Sequence, residues 1–158
     1  MLNPAINSLP QFLRDTGYVN PTDVENCAFH RGHQTKDGVF GWLRKNPEHS
    51  DAFFTWMKTQ RDGKPCFMDA FNFDQEIAQG SDPSTILFVD VGGGWGHQCV
   101  ALKQRYPGMT GRIVLQDQPG VIAQAKESPI PGFVGIETDA YDIFSPEHLK
   151  GISLVVCV

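Results

Sequence analysis

The sequence has no excess of positive charge, no long apolar run and no closely paired cysteines. Thirteen Lys and Arg stand against 18 Asp and Glu, a formal net charge of −5 over 158 residues. That balance excludes the basic face on which nucleic-acid binding rests. No apolar stretch approaches the roughly 20 residues that a membrane-spanning helix needs. The N-terminal Met1-Leu2-Asn3-Pro4 lacks the basic and apolar regions of a secretory signal, so the expected compartment is the cytoplasm. The four cysteines, Cys27, Cys66, Cys99 and Cys157, form no C-x-x-C pair and are expected as free thiols. Cys27, His30 and His33 recur every third residue. Three positions at that interval drift around a helix, Gly32 weakens any helix there, and no further ligand is suggested. No metal is expected.

What is present divides the chain near residue 80. Residues 1–80 read as helices joined by turns. Leu9 to Leu13 begins a short helix that stops near Gly17, and Asn20-Pro21-Thr22-Asp23 is a turn carrying caps for the next helix. Phe40 and Leu43, then Phe53, Phe54, Trp56 and Met57, fall at helical spacing. Pro47 suits a first helical turn, Gly63-Lys64-Pro65 breaks that helix, and Cys66 to Ile77 suggests another short one. Gly80 to Pro83 is a connector.

Beyond it, strand, loop and helix alternate. Ile86 to Val91 is a continuous apolar run, suited to a parallel strand buried on both faces. Gly92 to Gly96 is a glycine loop and His97 to Tyr106 a helix. Arg112 to Gln116 is a second strand and Pro119 to Lys126 a second helix. Phe133 to Glu137 and Ile152 to Val158 are expected as third and fourth strands. This alternation predicts a doubly wound α/β sheet.

The loop Val91-Gly92-Gly93-Gly94-Trp95-Gly96 sits where a strand gives way to a helix, a place for close approach of a ligand to the backbone and for an anionic group at a helix start. Its glycines stand at 92, 94 and 96. The dinucleotide fingerprint G-x-G-x-x-G would put its third glycine where His97 stands. The G-x-G-x-G spacing, after an apolar strand, resembles the first motif of S-adenosylmethionine (SAM)-dependent methyltransferases. Asp117 closes the second strand, where an acid can accept hydrogen bonds from both ribose hydroxyls.

Leu87-Phe88-Val89-Asp90-Val91-Gly92-Gly93-Gly94, Gly96-His97-Gln98, Gly111 to Asp117 and Pro119-x-Val121-Ile122 together resemble fungal secondary-metabolite O-methyltransferases, relatives of the plant caffeate and flavonoid O-methyltransferases. Gly17-Tyr18, Asn20-Pro21-Thr22, Phe53-x-x-Trp56-Met57, Asp69-Ala70-Phe71 and Tyr141-Asp142-Ile143-Phe144 extend the likeness over most of the chain. The resemblance implies a partial Rossmann-like class I methyltransferase sheet, residues 81–158, that binds SAM. A helical segment, residues 1–80, precedes it as connector and part of the acceptor pocket. It implies that Gly92, Gly93 and Gly94 line the methionine part of SAM, that Asp117 holds the ribose, and that Asp142 and Ile143 flank the adenine. Phe53, Trp56 and Met57 would wall the pocket of a phenolic or polyketide-like acceptor, although on residue type alone they also suit ordinary core packing.

Members of this family begin with a winged-helix-like dimerisation region and end beyond a His-Asp-Trp-like motif whose His is the general base. Met1 falls near the end of the first region, and no His-Asp dipeptide occurs. The expectation is a chain truncated at both ends, with no catalytic residue assigned. His97 and His148 are expected to be structural or solvated. Its apolar fourth strand would present an open edge for a homo-oligomer or another chain. Two readings stay open beside an O-methyltransferase. One is a non-catalytic SAM-binding or interaction module. The other, disfavoured by His97, is a nucleotide-dependent oxidoreductase.

Overall fold

A computed structural model describes residues 2–59 and 66–157. The contacts divide the chain into two compact units, Met1–Lys64 and Pro65–Val158. The division expected near residue 80 therefore falls earlier. Met68, Phe73 and Ala78 are buried in the same core as the sheet residues Phe88 and Leu115, so the segment before residue 80 belongs with the sheet.

In the first unit, α1 (Leu2–Asp15), α2 (Ala28–His33), α3 (Val39–Lys45) and α4 (Pro47–Thr59) follow in order. Helix α1 begins at Leu2, well before Leu9, and carries Pro10 inside it. It packs on α2, and the Ser8 hydroxyl donates to the Ala28 carbonyl at 2.6 Å. Gly32, expected to discourage a helix, lies within α2. A Cβ there would collide with the Pro4 carbonyl, so the close crossing of two helices requires glycine. The cap of α2 is Cys27, not a residue of the Asn20–Asp23 turn. Asp23 instead accepts a local bond from the Glu25 N–H at 2.9 Å. Pro47 does start α4, and the break expected at Gly63-Lys64-Pro65 lies outside the described residues.

In the second unit, a 3-10 turn (Phe67–Asp69) and α5 (Phe73–Glu76) replace the single helix expected from Cys66 to Ile77. Asn72 caps α5 through its side chain and splits the segment. Then come β1 (Ile86–Val91), α6 (His97–Arg105), β2 (Arg112–Asp117), α7 (Pro119–Glu127), β3 (Glu137–Ala140) and β4 (Leu154–Cys157). All strand pairs are parallel, in the order β3-β2-β1-β4. The third strand lies later than Phe133–Glu137. Gly132 and Gly135 take positive φ, which breaks an extended run, and Phe133 is buried in the core. Glu137 pairs with Val114 instead, and Arg112 on β2 binds both Glu137 oxygens at 2.8 Å.

The sheet has two unlike faces. On one, Phe88, Ile113 and Leu115 pack with Val100 and Leu102 of α6 and with Ile122 and Ala125 of α7. On the other, Val89, Val91 and Val114 are covered by Tyr141, Leu149 and Ile152 from the helix-free link between β3 and β4. Val155 on β4 is 52% exposed.

Candidate functional site

The glycine loop stands at the C-terminal end of β1. Gly92 and Gly94 have φ of +71° and +60°, and a Cβ on either would meet nothing within 4 Å. These backbone conformations favour glycine, and the space beside them is open. Gly93 and Gly96 differ. A Cβ on Gly93 would strike the Asp90 carboxylate and lie 2.6 Å from a Leu115 methyl, and one on Gly96 would lie 2.7 Å from the Phe133 ring. Gly93 can therefore offer a ligand only backbone, and Gly96 lets α6 approach the core. The Gly92 N–H donates to the Gln116 carbonyl at 2.8 Å, tying the loop to β2.

Parallel pairing of β1 with β2 brings Asp117 to this loop. One Asp117 oxygen accepts the Gly94 N–H at 2.8 Å, and the other accepts the Gln118 N–H at 2.7 Å. Ala140, the last residue of β3, pairs with Asp117, and the Tyr141 N–H donates to the Asp117 carbonyl at 2.9 Å. Asp142 and Ile143 thus follow the same end of the sheet. Asp142 is engaged in its own turn, where its carboxylate accepts the Phe144 N–H at 3.0 Å, and Ile143 is exposed. Gly92, Gly93, Gly94, Asp117, Asp142 and Ile143 are therefore gathered at one end of one sheet. Phe53, Trp56 and Met57 lie on α4 in the other unit. Phe53 and Met57 are half-buried and Trp56 is exposed. Phe53 packs edge-on against Phe40, with centroids 6.3 Å apart.

Buried Asp90 lies beneath the loop, and Cys99 of α6 points its thiol at Asp90 across 3.8 Å. Burial, then the Asp90 charge, raises the Cys99 pKa far above that of a free thiol. Burial, then the carboxylates of Glu147, Asp142 and Asp139, raise the Tyr141 pKa. All four cysteines are free. Cys27 Sγ lies 3.1 Å from His30 Nδ1, while the His33 ring packs on Phe29 and Trp42, each at 4.4 Å between centroids. Among the described residues no group of three His, Cys, Asp or Glu could hold a metal, and no helix is long and apolar enough to cross a membrane.

No site role was expected for Gln116, a fully buried polar residue at the end of β2. Its signal was the single amide closing the apolar run Ile113-Val114-Leu115.

A parallel sheet with a glycine loop after its first strand and an acid closing its second defines the class of nucleotide-binding α/β proteins. No family model matches the sequence. The chain is 41% identical over 152 residues to methyltransferase cfoC of Aspergillus candidus, a match covering 94% of this chain and 36% of that protein. It is 31% identical over 150 residues to O-methyltransferase dpmpI of Macrophomina phaseolina, covering 92% of this chain and 74% of that one. Among solved structures, the complex of LepI with SAM aligns with a TM-score of 0.76 at 30% identity, over 98% of this chain and 39% of LepI. The chain thus spans well under half the length of cfoC and of LepI. It belongs to the fungal O-methyltransferase family.

Proposed function

We propose that the second unit binds SAM at the end of β1 and β2, and that the protein transfers the SAM methyl to a hydroxyl of a phenolic or polyketide-like small molecule. The observation that carries this is the open space beside Gly92 and Gly94, with the Asp117 carboxylate hydrogen-bonded to the same loop. That arrangement suits a cofactor with an anionic end for backbone N–H groups and paired hydroxyls for a carboxylate. SAM, when bound, supplies a methyl on a positively charged sulfur. The chain's own residues bind and orient: Gly92, Gly93 and Gly94 present backbone to the methionine portion, Asp117 takes the ribose hydroxyls, and Asp142 and Ile143 flank the adenine. Phe53, Trp56 and Met57 are assigned to the acceptor, whose flat ring suits aromatic and thioether contacts.

A phenol has a pKa of about 10 and is little ionised at neutral pH, so the transfer gains from a positioned base. No residue of this chain is assigned that role. His148 Nε2 is held by Asp139 at 2.9 Å. A cytoplasmic location belongs to the same reading.

Titration calorimetry with SAM on the wild-type chain and on Asp117→Ala tests the cofactor assignment. Binding by the first and its loss in the second is expected, and absence of binding by the wild type would sink it. Transfer of labelled methyl from SAM to phenolic acceptors tests the activity.

The exposed Val155 on β4, an outer strand among the described residues, favours a second reading, a non-catalytic SAM-binding module that associates through this edge. Binding of SAM without methyl transfer, together with co-elution with a longer relative, would select it.

A further inference from the structure

Gln116 is 0% exposed on the face of the sheet that otherwise buries Val89, Val91 and Val114. Its Nε2 donates to Asp139 Oδ2 at 2.9 Å and to Glu147 Oε1 at 3.3 Å. Its own Oε1 is buried with no protein partner among the described residues. A buried amide with an unmet acceptor opposes folding, whereas an apolar residue would suit this face. What the amide holds must offset that cost.

It holds the link between β3 and β4. His148 Nε2 lies 2.9 Å from Asp139 Oδ2 and its Nδ1 3.8 Å from Glu147 Oε1. The His148 ring packs against Tyr141, with centroids 5.8 Å apart. Glu147 Oε1 also accepts the Leu149 N–H at 2.7 Å. At the start of the link, the Tyr141 N–H is bonded to the Asp117 carbonyl and its hydroxyl donates to the Ser145 carbonyl at 2.7 Å. Both flanks of the turn at Asp142 to Phe144 are therefore tied to the end of β2. Between them stand Asp142, exposed Ile143 and Phe144, which is 92% exposed. The middle of the link is helix-free and buries little apolar surface, so polar anchors decide its conformation.

We infer that Gln116, Asp139, Glu147 and His148 act as a polar fastener that positions the Asp142–Ile143 turn for the adenine, setting cofactor affinity without touching the cofactor. This rests on the assignment of that turn to the adenine. These are positioning residues, not catalytic ones.

Two measurements on the full chain test it. The first is hydrogen exchange without ligand, on wild type, Gln116→Leu and His148→Ala. Faster exchange at Phe144, Ser145 and Leu149 is expected in both variants, with the amides of β1 and β2 unchanged. Unchanged exchange in 141–149 would overturn the fastener. His148 is half exposed, so its replacement leaves the core intact even if Gln116→Leu fails to fold. The second is the affinity for S-adenosylhomocysteine. A weakening of about tenfold, or about 1.4 kcal/mol, is expected in His148→Ala, with recovery in His148→Gln, whose amide can still donate to Asp139. Equal affinity in wild type and His148→Ala would overturn the inference and leave the SAM site standing. A wild-type chain that does not bind would overturn both.

Discussion

The carboxylate of Asp117 accepts the backbone N–H of Gly94 at 2.8 Å, joining residues 23 positions apart. This bond closes the glycine loop onto the end of β2. With the Gln118 N–H on its other oxygen, the carboxylate already has one donor for each oxygen. Hydroxyls arriving at Asp117 must share it or displace the Gly94 N–H, which would then face the ligand.

Asp117→Asn keeps the shape and removes the charge. Hydrogen bonds to charged groups contribute about 1.5–3 kcal/mol, so SAM affinity should fall by about 10- to 150-fold. Calorimetry measures this. An unchanged affinity would show that the ribose lies elsewhere.

Alanine at Gly93 and at Gly94 should fail for different reasons. Gly93→Ala drives a methyl into Asp90 and Leu115 and should destabilise the fold by about 1–3 kcal/mol. Gly94→Ala forces a positive φ on alanine, at about 1–2 kcal/mol, and puts its methyl in the open space. Urea unfolding gives the stabilities, and cofactor titration separates the two. A folded Gly94→Ala chain that binds like wild type would place the cofactor on another side of the loop.

The Arg112–Glu137 pair gives a pH dependence. The Arg112 hydrogen bonds hold the Glu137 pKa below its ordinary value. A lowered folded-state pKa adds stability above the unfolded glutamate value of about 4.3, and that stability disappears as pH falls through the folded value. The pair is partly exposed, so its size is under about 1 kcal/mol. Wild type should exceed Glu137→Gln in urea stability at about pH 7, and the gap should shrink as pH falls below about 4.3 and through the lowered folded-state value.

The cysteines should sort by reactivity. Cys99 is buried and its pKa is raised by burial and by Asp90, while Cys157 is exposed. Thiolate is the reacting form. Mass spectrometry after brief alkylation should find Cys157 labelled and Cys99 protected until denaturant is added. Labelling of native Cys99 at the rate of Cys157 would contradict the packing.

The segment from Ile86 to Gln124 was legible because its chemistry is local. An apolar run must be buried on both faces, glycines at 92, 94 and 96 mark a turn, and Pro119 starts a helix. Those patterns predicted β1, α6, β2 and α7 within a residue or so of their ends, and they pointed to Asp117. The third strand was not legible. Glu137-Thr138-Asp139-Ala140 has no apolar residue larger than alanine, and it is a strand only because β2 offers it a partner and Arg112 binds Glu137. Gly32 likewise reads as a helix breaker until α1 is laid across it.

The sequence by itself determined the α/β class, the glycine loop and its acid, because spacing along one chain specifies turns and buried strands. Tertiary structure alone decided that Asp117 bonds Gly94, that Gly93 faces the core while Gly92 and Gly94 face open space, and that Gln116 gathers Asp139 and Glu147. Each of these depends on which strands lie side by side and in what register, and pairing between distant segments leaves no period in the sequence to read.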